Sequence, residues 1–255
     1  MLLLLPPSEG KTAPTSGGPL DLAVLSHPGL TASRRTVLDA LVRASARPDA
    51  AAVLGVGARA AGDVSRNLAL LRSPTAEARS VYTGVLYAAA GFADLHGTAL
   101  RRAQRSVRTV SALWGVLAPR DRVPAYRLSM GTDLPGVGPL AAYWRRPLAA
   151  ELDTVADGGL VVDCRSAAYQ AAWTPPVGAH RVAVRVMRER DGRRTVVSHE
   201  AKHTRGLLTG HLLHRDEQLP ATVGALASAA AELPGLSVEV TAERGTSVLW
   251  LVTRA

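Results

Sequence analysis

Four consecutive leucines, Leu2 to Leu5, run without alternation and stop at Pro6. That is the pattern of a short strand buried on both faces. A polar loop follows, Ser8-Glu9-Gly10-Lys11-Thr12, and then a Pro-, Gly- and Ser-rich stretch to about Pro19. From Thr31 to Gly62 the apolar positions recur at helical spacing. Val37, Leu38, Leu41 and Val42 keep to one face, and Thr31 or Ser33 can cap. Pro48-Asp49 interrupts this pattern ahead of Leu54-Gly55-Val56-Gly57, which predicts a helical hairpin near 48–66. His96 to Arg105 reads as a helix and Val107 to Leu113 as a strand. If that helix ran on, Arg101, Arg105 and Arg108 would share one side, with Arg102 close by.

The segment from Ala118 to Arg146 lacks clean periodicity, and long irregular segments in compact domains tend to be functional. Beyond it the pattern predicts a strand at Leu160–Asp163, a helix from Ser166 and a strand at Arg181–Met187. Asp191-Gly192 then signals a hairpin leading into Thr195–His199. Helices over Ala201–Leu213 and Ala221–Ala231 precede two closing strands, Leu236–Val240 and Ser247–Thr253. No internal repeat or linker divides the chain, so residues 1–255 are expected to form a single mixed α/β domain.

Composition narrows the classes. A hydrophobic fraction of 47% over 255 residues supports a sizeable core. One cysteine, Cys164, excludes a disulfide framework and a cysteine-ligated structural zinc, and it is expected to pack at the end of an apolar run. The leucine run has no basic residue before it and is too short for a signal segment, and no run approaches the roughly 20 apolar residues of a membrane span. The expectation is a soluble, cytoplasmic monomer. The net charge of +9 favours anionic partners, although an arginine-rich background would give the same balance. Only two of the 30 basic residues are lysines, Lys11 and Lys202, which points to a need for a compact, titratable ammonium at those places.

Three short motifs are weighed and set aside. Gly10-Lys11-Thr12 ends like a phosphate-binding loop, but Leu5 stands where the opening glycine belongs and Pro6-Pro7 remove two amides. Ser8 and Lys11 have the spacing of a serine nucleophile and its lysine base, without the companion motifs of that class. His199-Glu200-Ala201-Lys202-His203 satisfies a zinc-protease pattern, yet Thr209 stands where a third histidine would fall. His199 is expected to precede the helix, and Lys202 puts a positive charge inside the cation site. No metal and no cofactor are expected.

Several segments together resemble the YaaA family of peroxide-stress proteins. They are Tyr82-Thr83-Gly84 with Tyr87, Val110 to Leu117, Pro124 to Gly131, and Tyr143-Trp144. Val162-Asp163-Cys164-Arg165-Ser166 with Tyr169, Ala201 to Leu207 and the Pro7 to Thr12 loop complete the match, which covers nearly the whole chain. The resemblance implies a single-domain α/β fold with a basic cleft and a helix–hairpin–helix element. It also implies DNA binding and a part in limiting iron-dependent damage during peroxide stress.

Two expectations follow. The first is a protein that binds DNA weakly and without sequence preference, with Arg59, Arg66, Arg101, Arg105 and Arg108 as contact candidates. The alternative is an enzyme acting on a nucleotide or nucleobase. Its pocket would be built from Ser8, Glu9, Lys11, Tyr82, Ser111, Tyr126, Arg127, Ser166, Tyr169, Lys202 and Arg205, because a pure backbone binder has no need of so many converging hydroxyls. Lys202 and Arg205 share one helix face at i, i+3, so an anion or a carboxylate is expected between them, with Glu9 a candidate.

Overall fold

The computed structural model describes residues 1–197, 199–243 and 245–254. Leu2–Leu5 forms β1, and all four leucines are buried. Side chains alternate across a strand, so both faces of the sheet are covered here. β1 pairs in parallel with β2 (Val107–Ser111) on one side and β4 (Leu160–Asp163) on the other. In register, Leu3 lies between Val107 and Val162.

Among the described residues one eight-stranded sheet organises the chain. β2 turns back antiparallel into β3 (Gly115–Leu117), which closes one edge. On the other side β4 is followed in parallel by β5 (His180–Arg190) and then by the last strand, β8 (Thr246–Arg254). β7 (Leu236–Glu243) runs antiparallel to β8 at the far edge. β6 (Arg193–Val196) extends β5 as a hairpin. The turn between them holds Asp191 and Gly192 at φ of 51° and 73°. Two positive φ angles are what a tight hairpin requires, and the Asp-Gly pair supplies them.

Six α-helices of five or more residues surround the sheet in the described residues: α1 (Thr31–Ser45), α2 (Val85–Ala89), α3 (Gly97–Ser106), α4 (Leu140–Ala156), α5 (His199–His214) and α6 (Val223–Ala231). α4 begins inside the segment expected to be irregular up to Arg146. Leu140, Trp144, Leu148, Leu152 and Ala156 recur every fourth residue on its buried face, and the helix continues through Pro147. The indole Nε1 of Trp144 donates to the Ala112 carbonyl at 2.8 Å and ties α4 to the turn after β2.

Two further expectations are corrected. Over 48–66 the first arm is a single helical turn, Ala50–Val53, ended by Gly55 at a φ of 62°. The second arm is a 3₁₀ helix, Ala58–Ala69. The four residues between Asp49 and Leu54 leave room for one turn only, so a hairpin of two α-helices does not form. The arginine arc along α3 is also broken, because the helix ends at Ser106 and Arg108 lies in β2. Arg108 is half-buried: its Nε donates to His27 Nε2 at 3.0 Å and its Nη1 to the Gln104 and Val107 carbonyls. Arg102 instead caps the C-terminal end of α5, donating to carbonyls of Leu213 and Glu217. No helix among the described residues is long and apolar enough to cross a membrane.

Candidate functional site

The strand order places a crevice at one end of the sheet. From β1 the chain moves to β2 on one side, and after β3 it crosses to β4 on the other and continues outward through β5. Connections leaving β1 and β4 therefore diverge, and open parallel sheets bind ligands at such switch points, beyond the carboxyl ends of the strands. A cavity of about 360 Å³ lies there. The β1 loop contributes Pro6 to Glu9 and Lys11, the β4 loop contributes Ser166 and Tyr169, and α5 contributes Lys202 and Arg205. Arg127, Leu128 and Ser129 come from the chain after β3, and Gly55 and Leu86 complete the wall.

The β1 loop is tightly held. Ser8 is buried and its hydroxyl donates to the Gly10 carbonyl, while Lys11 Nζ donates to the Ser8 carbonyl at 2.7 Å. Gly84 packs against this loop so closely that a Cβ there would lie 2.7 Å from Ser8 Cβ. Lys11 Nζ sits over Tyr126, 4.2 Å from the ring centre, and 5.6 Å from that of Tyr82. Burial, and then the Arg127 charge, lower the Lys11 ammonium from 10.5 to about 7, with Glu9 opposing.

Beneath the lysine a hydrogen-bonded chain runs inward. The Tyr82 and Tyr126 hydroxyls are 3.1 Å apart, and Ser111 Oγ is 2.7 Å from Tyr126. Ser111 Oγ also accepts from the Leu113 and Trp114 amides, so its own proton goes to Tyr126. Tyr82, Ser111 and Tyr126 are thus a buried support and do not line the cavity. Burial pushes both tyrosine hydroxyls well above their ordinary range.

Arg127 is positioned by Asn67, the only asparagine in the chain. Its Oδ1 accepts from the Arg127 amide and its Nδ2 donates to the Arg127 carbonyl, each at 2.9 Å, with a further bond to Ser45. Arg127 Nη1 then reaches the Glu9 carbonyl at 3.3 Å. The Glu9 carboxylate lies between two cations, 4.0 Å from Arg127 Nη2 and 3.9 Å from Lys202 Nζ. Arg205 donates twice to the Val184 carbonyl of β5. Gly206 lets α5 approach this closely, because a Cβ there would overlap the Leu86 carbonyl and lie 2.7 Å from Ala89 Cβ.

The β4 loop is fixed by a buried ion cluster. Asp163 accepts from Arg165 Nε and Nη2 at 2.8 and 2.9 Å and from Arg181 Nη2 at 2.8 Å. Burial alone would raise this carboxyl, but the two guanidinium groups hold it below its ordinary value. Arg165 also donates to the Tyr169 carbonyl, which sets Tyr169 on the cavity wall. Burial raises the Tyr169 hydroxyl to about 12.

Eight of the eleven pocket residues expected from sequence therefore line one cavity, and the other three lie under it. Asn67 and Ser129 were missed. The DNA candidates are placed differently. Arg59 and Arg66 are exposed on the 58–69 helix, with Arg66 paired to Asp63 at 3.0 Å and close enough for its charge to act on Lys11. Arg101 and Arg105 are exposed on α3, and Arg108 is turned inward. Among the described residues no three His, Cys, Asp or Glu side chains gather to hold a metal ion. The backbone is helical from His199, although that residue was expected before the helix. The zinc-like pattern rests partly on the His199 side chain, which lies outside the described residues. Glu200 is engaged by Arg188 and by Thr253 Oγ1.

The family model for the peroxide stress protein YaaA matches residues 1–232. This chain belongs to the YaaA family. A UPF0246 protein of Streptomyces coelicolor is 48% identical over 217 residues, covering 84% of this chain and 83% of its own. A UPF0246 protein of Corynebacterium efficiens is 37% identical over 256 residues, covering 99% and 100%. One from Corynebacterium glutamicum is 42% identical over 215 residues, covering 82% and 83%. The segments that carry the YaaA resemblance supply most of the cavity: the β1 loop, Arg127 to Ser129, Ser166, Tyr169, Lys202 and Arg205.

Proposed function

We propose that this YaaA-family chain is a cytoplasmic DNA-binding protein that acts in peroxide stress by engaging phosphates at the switch-point cavity and so limiting iron-dependent damage. The observation that carries this reading is the convergence of Lys11, Arg127, Lys202 and Arg205 on one cavity with Glu9 as the single opposing carboxylate. Arg66 lies close enough for its charge to act on Lys11, and the net charge of +9 supports long-range attraction. No base-reading element is involved, so binding is weak and indifferent to sequence.

The test is fluorescence anisotropy with short single-stranded and duplex DNA across a salt series. Affinity should fall steeply with salt, and an Arg127→Ala/Lys202→Ala double variant should reduce the log–log slope by about one to two. Binding that stays flat with salt, or none at low salt, refutes the reading. Protection is measured as plasmid nicking by ferrous iron and peroxide with and without the protein.

A second reading, an enzyme acting on a nucleotide or nucleobase, is favoured by one specific feature. A lysine brought to about 7 beside Ser8, Ser129, Ser166 and Tyr169 is more than phosphate tracking needs. Chromatographic loss of a nucleotide that is abolished in Lys11→Met supports it. A nucleotide recovered unchanged after prolonged incubation removes it.

A further inference from the structure

A second, smaller cavity of about 190 Å³ adjoins the first across the β1 loop. The two share Pro6 to Glu9, Leu86 and Lys202 in their walls. Their chemistry differs sharply. The larger one gathers four cations and four hydroxyl groups. The smaller one is walled mainly by Pro6, Pro7, Gly84, Val85, Leu86 and Tyr87, with Lys202 at the common boundary. Its apolar wall is rigid. Tyr87 donates its hydroxyl to the Pro6 carbonyl at 2.8 Å and packs edge-on against Phe92, and Gly84 is pressed onto Ser8. A preformed apolar slot loses little entropy on filling.

We propose that the smaller cavity is a base subsite: it takes one heteroaromatic base of a nucleotide whose phosphate lies among the cations of the larger cavity. This rests on the phosphate reading above and goes beyond it, because a backbone binder needs no apolar chamber joined to its cations. Lys202 and Glu9 stand at the boundary of the two chambers, where the sugar linking base and phosphate must cross. The slot has room for one ring system and none for a base pair, which selects a free nucleotide or an unpaired nucleotide within a strand. Those two sources share one chemistry and are separated by the test.

Calorimetry is run with deoxyribose 5-phosphate, deoxyadenosine monophosphate, a six-residue adenine strand and its abasic counterpart. Stacking and burial of one base are expected to favour the base-bearing ligand of a pair by about tenfold. A preference seen only with the monophosphate identifies a free nucleotide, and one seen in both pairs identifies a nucleotide within a strand. Val85→Trp fills the slot and should abolish the preference while leaving the sugar phosphate within twofold. Val85→Phe serves the same purpose where the larger ring disturbs folding. Equal affinity for the two ligands of each pair in the unaltered protein overturns the base subsite alone. If the two oligonucleotides bind equally and neither small ligand binds, the base subsite falls and the phosphate reading stands. If nothing binds, both fall.

Discussion

Lys11 Nζ lies 4.2 Å from the centre of the Tyr126 ring, and that ring's hydroxyl is hydrogen-bonded to Ser111 at the carboxyl end of β2. An ammonium from the loop after β1 is therefore seated on an aromatic platform anchored to the neighbouring strand. The platform attracts the charged form. Burial and Arg127 oppose it more strongly, and the outcome is a lysine lowered to about 7.

This lysine should make stability depend on pH. Its folded pKa lies below its unfolded value of 10.5, so unfolding takes up a proton between about pH 7 and 10.5. Stability contributed by Lys11 therefore rises with pH across that window and is at its lowest below pH 7. Denaturant midpoints of the wild type and Lys11→Met, compared from pH 6 to 10, should converge as pH rises. A constant difference between them would show that Lys11 keeps an ordinary pKa. Affinity for an anion of fixed charge should fall over the same rise in pH, as the positive charge is lost.

Glu9 occupies the place an anionic ligand would take. Its distances to Arg127 and Lys202, 4.0 and 3.9 Å, are loose, and its side chain is 76% exposed. Such pairs contribute about 0–1 kcal/mol to stability. Glu9→Gln should leave the melting temperature nearly unchanged and raise affinity for phosphate-bearing ligands about threefold to tenfold at low salt. Weaker binding in this variant would mean that the carboxylate helps to hold the ligand.

Legibility from sequence followed chemistry more than geometry. The four leucines of β1, the Asp-Gly hairpin and most strands could be read because their patterns are local. α4 was hidden because Pro147 sits inside it, and the buried every-fourth spacing from Leu140 to Ala156 outweighs the lost hydrogen bond. The arginine arc failed because α3 stops at Ser106, two residues before Arg108. In the site, residues from six separate segments come together only through a family resemblance, and spacing alone does not join them. Asn67 had a usable signal in being the only asparagine, but its partners lie 22 and 60 residues away.

Asn67→Ala tests that positioning role. It strands the buried amide and carbonyl that now clamp Arg127, and such losses cost about 2–4 kcal/mol together. The denaturant midpoint should fall accordingly, and phosphate affinity should drop further than the unfolded fraction explains. Asn67→Asp keeps the acceptor and loses the donor, so it should fall between the two.

Gly206→Ala and Gly224→Ala should act in opposite directions. A methyl at Gly206 meets the Leu86 carbonyl and Ala89, so α5 must move away from α2, at a cost of about 1–3 kcal/mol. At Gly224, in α6, nothing lies within 4 Å of a new Cβ, and helix propensity alone should add up to about 1 kcal/mol. Thermal melts of the two variants check the sign. Gly206→Ala should also weaken phosphate binding, since α5 carries Lys202 and Arg205.

Cys164 offers a direct test of how the chain meets peroxide. Thiolate is the form that peroxide oxidises, and exposure decides access. Cys164 is fully buried after β4, and burial pushes its thiol up to about 12, with Arg205 opposing only in part. At neutral pH the thiolate fraction is on the order of one in 10⁵, from the distance between that value and pH 7. Native protein treated with millimolar peroxide at pH 7 should retain its full thiol titre by mass spectrometry and by reaction with a thiol reagent after denaturation. The same treatment in denaturant should oxidise the residue at the rate of an ordinary free cysteine. Sulfenic acid formed at Cys164 in the folded protein would show that the β4 loop opens and would give the chain a thiol sensor. Its absence excludes a thiol sensor at Cys164 in the folded chain and leaves the proposed phosphate binding at the charged cavity untouched.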